Sequence, residues 1–318
     1  MKHLLKPILV TLLVGVSSAA FAQEPLSVVA SFSILGDMVR EIGGDHVAVT
    51  TLVGPDADAH VFEPSPRDTR ALRDAKLLVT NGLQFEGWLP RLSETSGFTG
   101  ETVVASNQVT ARRFSETDGH EEEHEAAVPT PHGHADEHHD HGTLDPHAWQ
   151  DLRNGVLYVR AIADGLAKVD PDHAGDYRAR ASSYTARLTA LDASIRQELS
   201  TIPASERTVV TSHDAFGYFA QAYDIRFVAP EGVSTESEAS ASDVAAIIRQ
   251  IRDEKIKAVF VENITNPKLL QQIAGETGAA IGGSLFSDAL SGPGGPAPTY
   301  EQMFRYNAET ILRALKTS

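Results

Sequence analysis

No cysteine occurs among the 318 residues. That excludes disulfides, thiolate metal ligands and thiol nucleophiles. It also removes the residue a lipid anchor would need at a cleavage point. Long apolar runs are nearly as scarce. The run over 8–16 is too short to cross a bilayer, which takes roughly 20 apolar residues, and no later segment approaches that length. With Lys2 and Lys6 before it and Ala20-Phe21-Ala22 after it, this run fits the core of a cleavable export signal over 1–22. The expectation is a soluble periplasmic protein without a lipid anchor. Basic residues are the third shortage. Against 43 Asp and Glu stand 27 Lys and Arg, a formal charge of −16 that becomes −18 once Lys2 and Lys6 are removed. Such a surface repels nucleic acid and anionic lipid but favours cations.

What is present is concentrated. Between Arg113 and Arg153 there is no Lys or Arg, and the stretch 115–142 holds seven histidines (His120, His124, His132, His134, His138, His139, His141) and nine Asp or Glu. Imidazole and carboxylate bind borderline divalent metals without help from a thiolate. With almost nothing apolar to bury, the tract cannot offset the entropy of ordering and is expected to be a mobile loop. An acidic solvated linker would need far fewer histidines. Directly after it comes Leu144-Asp145-Pro146-His147-Ala148-Trp149, where an apolar, helix-like run takes over.

The rest of the chain alternates strand-like and helix-like segments. Strands are expected at 26–30, 47–53, 76–80 and 101–105, with helices at 33–39 (Ser33 as cap), 66–75 and 87–94 between them. Ser65-Pro66 suits a helix cap and first turn. The alternation resumes with strands at 207–211, 225–229, 258–261 and 279–281. Helices are expected at 215–222, 242–253 (capped by Ser242), 267–276 and 300–315. This spacing predicts an α/β fold with parallel sheets flanked by helices, in two lobes with separate cores. One helix should run from Ala148 to about residue 169. In the segment 171–201, Tyr177, Ala181, Tyr184, Leu188, Leu191, Ile195, Leu199 and Ile202 form one apolar stripe. At 1.5 Å per residue its length is roughly 45 Å, enough for a rigid spine joining the lobes. The N-terminal lobe is thus placed at 23–170 and the C-terminal lobe at 202–318.

Four residues fall at strand ends or at the loop-to-helix edges that follow. They are His60 in Asp58-Ala-His-Val-Phe-Glu-Pro-Ser-Pro66, His147 in Asp145-Pro-His-Ala-Trp149, His213 in Thr211-Ser-His-Asp-Ala215, and Asp288 in Phe286-Ser-Asp-Ala289. Two come from each half, as a ligand cleft between lobes requires. In this ordered set, together with Phe260-Val261-Glu262-Asn263 and the segment 300–315, the chain resembles the substrate-binding proteins of metal-importing ABC transporters, the family of zinc and manganese receptors. The resemblance spans nearly all of the mature chain. It implies two α/β lobes joined by a long helix, with the metal between them held by His60, His147, His213 and Asp288. It implies no enzymatic step, and delivery to an inner-membrane permease driven by a cytoplasmic ATPase. Manganese receptors of that family usually carry a carboxylate where this chain has His213. Its zinc receptors carry histidine there, and commonly a His-rich acidic loop where this chain has 115–142. Some also carry a carboxylate just before the first ligand, where this chain has Ala59.

Three imidazoles and one carboxylate suit tetrahedral Zn²⁺ by their chemistry alone, whereas Mn²⁺ prefers more oxygen. Copper would bind such nitrogens as strongly. Asp145, Asp214 and Glu262 are candidates to accept the second N–H of each ligating imidazole. The loop histidines are expected to give auxiliary metal contacts. Protonation of the imidazoles should expel the metal as pH falls through roughly 6. A zinc receptor is the leading reading, working as a monomer and open to loading by a metallochaperone. A manganese or copper receptor and a periplasmic zinc buffer without a transporter are the alternatives. A zinc hydrolase would need an open coordination position, and no His-Glu-x-x-His motif occurs. His46 and His173, beside turn signals, are expected at the surface. Trp149 and Phe286 are candidates to wall the cleft, with ordinary core packing the expected role.

Overall fold

A computed structural model of the chain describes residues 24–113 and 144–317. The expected signal over 1–22 and the seven histidines of 115–142 lie outside the described residues. The first half runs β1 (Leu26–Phe32), α1 (Ser33–Gly43), β2 (Val47–Val53), α2 (Pro66–Asp74), β3 (Leu77–Thr80), α3 (Leu89–Ser96) and β4 (Glu101–Val104). Two long helices follow, α4 (Leu152–Val169) and α5 (Ala174–Leu199). The second half is β5 (Thr208–Val210), α6 (Gly217–Tyr223), β6 (Arg226–Val228), α7 (Ala241–Glu254), β7 (Ala258–Glu262), α8 (Lys268–Thr277), β8 (Ala280–Leu285) and α9 (Tyr300–Thr317). Each half makes a parallel four-stranded sheet, in the orders β2-β1-β3-β4 and β6-β5-β7-β8. The same strand order is therefore used twice.

Both faces of each sheet are covered, and strand side chains of period two divide between two cores. Val28, Ala30 and Phe32 of β1 and Leu77 and Val79 of β3 point to a central core. Val29 and Leu78 point outward under α2 and α3. In the second sheet Val209, Ala258 and Phe260 face the centre, while Val210 and Val259 pack under α7 and α8. The central core is continuous from one sheet to the other. Separate cores for the two lobes were expected, and the reason they merge is α5. Its buried stripe Tyr177, Ala181, Tyr184, Leu188, Leu191, Ile195 and Leu199 is the one the sequence spacing predicts. Along its 26 residues, about 39 Å at 1.5 Å per residue, it packs on α1 and α4 of one half and on α6 and α9 of the other.

Local signals explain most element bounds, and three differences have physical causes. Ser65 caps α2 reciprocally with Asp68, as a capping box does. Ser33 does not cap α1: it lies in the first turn, and its hydroxyl accepts the N–H of Leu290 from the other half. The cap of α7 is Ser240 with Asp243, two residues before Ser242. The helix expected from Ala148 is interrupted. Residues 148–150 form one tight turn, and α4 begins only after Asp151, whose carboxylate accepts the N–H of Arg153 at 2.8 Å.

Candidate metal centre

Three of the four residues lie in the segments that follow the carboxyl ends of strands. His60 follows β2 in the loop to α2, His213 follows β5, and Asp288 follows β8. His147 immediately precedes the tight turn over 148–150. Two of the histidines are set by the same local device. In Asp58-Ala59-His60 and Asp145-Pro146-His147, the Asp carboxylate accepts the histidine backbone N–H, at 2.9 and 3.0 Å. This Asx turn pins the backbone while leaving the ring free to point inward.

One ligand atom from each residue, His60, His147, His213 and Asp288, lies within 4.8 Å of all the others. The carboxylate of Asp288 is the hub. Its Oδ2 is 3.2 Å from His60 Nε2 and 3.2 Å from His213 Nε2, and its Oδ1 is 3.5 Å from His147 Nε2. Among the described residues, these three Nε2 atoms and both carboxylate oxygens are buried without a hydrogen-bond partner. Five orphaned polar atoms facing one point would be costly in a folded protein unless a cation joined them. The edges of a tetrahedron with bonds of about 2.0–2.2 Å are roughly 3.3–3.6 Å, close to the three nitrogen–carboxylate separations, while the four ligand atoms as a set lie within 4.8 Å.

Two of the three carboxylates proposed to support the rings reach them. His147 Nδ1 is 2.9 Å from Asp145 Oδ1, and His213 Nδ1 is 2.7 Å from Glu262 Oε2. The other oxygen of Glu262 accepts the N–H groups of Ser212 and His213 at 2.8 and 3.0 Å. Asp214 is different. Its N–H goes to the carbonyl of Gly232, and among the described residues its carboxylate has no hydrogen bond or ion pair to an imidazole. Its carboxyl is raised above the ordinary range, by burial first and by the nearby charge of Asp145 second.

The charges inside the site are strongly coupled. Burial opposes charge on His147, but Asp288 and Asp145 override it and push the imidazole up to about 9. Burial opposes charge on His213 as well, and Glu262 and Asp288 raise it well above the ordinary value. For Asp288, burial favours the neutral acid, yet His147 and His213 hold the carboxyl well below the usual range. Without a metal, the Asp288 carboxylate and the two imidazoles each favour the other's charged form.

Several residues that set this geometry carry no motif. The Asn81 side-chain amide donates to the Pro146 carbonyl at 2.9 Å and accepts from the Tyr158 hydroxyl. Trp149 is a core aromatic, as expected, but it is also a wall of the site, 5.2 Å from the His147 ring. Phe85 lies between, 4.9 Å from His60 and 4.8 Å from Trp149. Trp149 Nε1 and Gln150 Nε2 both donate to the Ser287 carbonyl, so the first half holds the backbone beside Asp288. Phe286 is buried and packs on Tyr306. The expectation of surface positions for His46 and His173 is only half met. Their rings stack at 3.9 Å and pair with Asp176 and Asp170, remote from the four-residue cluster.

Comparison with known proteins agrees with this geometry. Residues 28–314 match the family described as ZnuA, zinc-uptake complex component A, periplasmic. The manganese-binding lipoprotein MntA of Halalkalibacterium halodurans is 32% identical over 92% of this chain and 89% of its own length. The iron-binding protein YfeA of Yersinia pestis is 32% identical, covering 94% of this chain and 91% of its own. The solved periplasmic zinc binding protein TroA of Treponema pallidum superposes with a TM-score of 0.79 at 29% identity, over 92% of this chain and 99% of that one. These relatives also overturn one expectation. Several of them, in Halalkalibacterium, Bacillus and Streptococcus, are named lipoproteins, so a free, unlipidated periplasmic protein does not follow for a chain of this kind. The missing cysteine was too narrow a ground for it. Proteins of this family are substrate-binding components that work with a membrane permease and an ATPase, and they are not enzymes. The chain belongs to the ZnuA family and is the metal-binding component of a metal ABC transporter.

Proposed function

We propose that the transported metal is Zn²⁺, held between His60, His147, His213 and Asp288 at the junction of two lobes, 23–170 and 202–318, linked through 171–201. The observation that carries this reading is the set of five buried, unpartnered atoms, three of them imidazole nitrogens. A shell of three nitrogens and one oxygen suits zinc, a d¹⁰ ion content with four ligands. Asp145 and Glu262 would fix the tautomers that present Nε2 to the metal. The seven histidines of 115–142 supply weaker contacts by their chemistry, so deletion of 115–142 should leave one tight site.

A manganese receptor is the second reading, favoured by two observations. Both oxygens of Asp288 are free to bind, which gives a shell of three nitrogens and two oxygens, and matched relatives are named manganese-binding. Chelator competition with Zn²⁺, Mn²⁺ and Cu²⁺ on the purified chain tests the choice. One tight zinc per chain is expected, with Mn²⁺ weaker by its place in the affinity order. His60→Ala, His147→Ala and His213→Ala should each abolish tight binding, and Asp288→Ala should weaken it. His213→Asp should narrow the gap between zinc and manganese. A parent chain that prefers Mn²⁺ would decide for the second reading.

A further inference from the structure

Asp145 supports His147 from both sides of one oxygen. Its Oδ1 lies 3.0 Å from the His147 backbone nitrogen and 2.9 Å from Nδ1. The carboxylate is fully buried, and a buried charge needs a partner on its second oxygen. That partner is Arg112, whose Nη1 donates to Asp145 Oδ2 at 3.1 Å. Three further contacts fasten the pair. The Asp145 N–H donates to the Arg112 carbonyl at 2.9 Å. The Arg112 N–H donates to the Tyr218 hydroxyl at 2.8 Å, and that hydroxyl donates to the Asp145 carbonyl at 3.2 Å. Tyr218 belongs to α6, in the opposite half. The first residue of the same helix is Gly217, where a Cβ would press on Arg112 Nη1 and come within 2.6 Å of Asp145 Oδ2. Glycine at 217 leaves the room the pair occupies.

We propose that Arg112 is a positioning residue of the metal site, acting on His147 through Asp145, with Tyr218 and Gly217 of the other half closing the arrangement. This rests on the four-residue metal site proposed above. With the Asp145 carboxylate anchored at both oxygens, its orientation is fixed, and so is the direction in which His147 Nε2 faces Asp288. Freed from Arg112, the carboxylate can rotate toward water, and His147 loses the partner that aims it. Loss of such a supporting contact typically weakens a metal by about 10–100-fold.

The test is Zn²⁺ affinity and dissociation rate, by chelator competition, for the parent and for R112Q, R112K, G217A, D145N and R112Q/D145N. Co²⁺ absorption on each reports coordination geometry. R112Q should bind zinc about 10-fold more weakly, with the loss in the dissociation rate and an altered Co²⁺ band. R112K should recover most of the loss, and G217A should reproduce part of it. In the D145N background R112Q should cost nothing further. Parent affinity in R112Q, or losses that multiply in the double variant, would overturn the proposal. If R112Q fails to fold, judged by thermal unfolding of the metal-free form, R112K and G217A decide, and parent behaviour in both overturns it. His60→Ala run alongside separates the two claims. Tight binding retained there sinks the site itself, whereas its loss beside an unaffected R112Q sinks the role of Arg112 alone.

Discussion

At Asp288 two opposing influences meet, and their balance sets how the site handles protons. Burial alone would neutralise the carboxyl, but two imidazoles keep it charged and are themselves driven upward by it, His147 to about 9. A metal must displace those protons before it can use the nitrogens. Affinity should therefore climb with pH through the neutral range toward 9, not level off just above the roughly 6 expected of an isolated imidazole. Calorimetry of zinc binding at pH 7.5 in buffers of different ionisation enthalpy should show protons released as zinc binds. No buffer dependence would contradict this picture. In the metal-free chain the same raised value makes the His147 contribution to stability fully present below 6.5 and lost as pH rises through about 9. The four clustered residues were legible because each sits in a short motif at a strand end. Asn81, Phe85 and Arg112 were not, because what they do depends on partners 65, 25 and 33 residues away in sequence, at Pro146, His60 and Asp145.

Among the elements, α5 decides the architecture, and α1 and α9 are tied to it. Arg187 of α5 pairs with Glu41 of α1 at 2.5 Å and with Glu301 of α9 at 2.9 Å. Asp37 of α1 accepts the N–H of Tyr300, where α9 begins, at 2.8 Å. Burial raises the Asp37 carboxyl to about 6, ahead of the lowering effect of that hydrogen bond. Since the folded value exceeds the ordinary 3.8, the contribution of Asp37 is complete below about 4 and is lost as pH rises through 6. Asp37→Asn keeps an acceptor for Tyr300 and removes the penalty. The variant should be more stable than the parent at pH 7.5 by about 3 kcal/mol, at roughly 1.4 kcal/mol per tenfold. The advantage should shrink from pH 6 toward 4 in urea titrations, and a constant difference across that range would refute it. Leu188→Ala, at a fully buried position of the stripe, should cost about 2–5 kcal/mol. The stripe itself was readable from period alone, as was the capping box of α2. The strand expected over 279–281 continues in β8 to Leu285, across Gly282 and Gly283. Glycine is required there, since a Cβ at 282 would meet the Phe260 ring at 2.5 Å and Gly283 has φ +138°. The close approach of the Phe260 ring was invisible from composition.

For the molecule as a whole, the shared core limits how the two halves can move. A hinge that opened by many degrees would have to expose the central apolar surface that joins β1 and β3 to β7 through α5 and α9. At roughly 25 cal/mol per Å² of apolar area, parting that surface would cost far more than the few kcal/mol a release step can spend. Polar links across the cleft add to the restraint: Asp56 N–H to the Leu290 carbonyl at 2.9 Å, Thr235 to Asp58 at 2.6 Å, and Trp149 to the Ser287 carbonyl at 2.9 Å. Opening is therefore expected to be local. The His60 ring is where solvent reaches the site, since it is the one ligand with measurable exposure, 6% against 0% for the other three. Metal-free and zinc-loaded chains should differ in radius of gyration by less than about 1 Å in small-angle scattering, in the range of pre-organised binding. Both should unfold in one transition, with zinc raising the midpoint by mass action and a chelator reversing it. Hydrogen exchange should place the change on residues 54–65 and on the segment around Thr235, leaving α5 protected in both states. Two separate unfolding transitions, or a change of several ångströms in radius on loading, would show that the core does not bind the halves into one body.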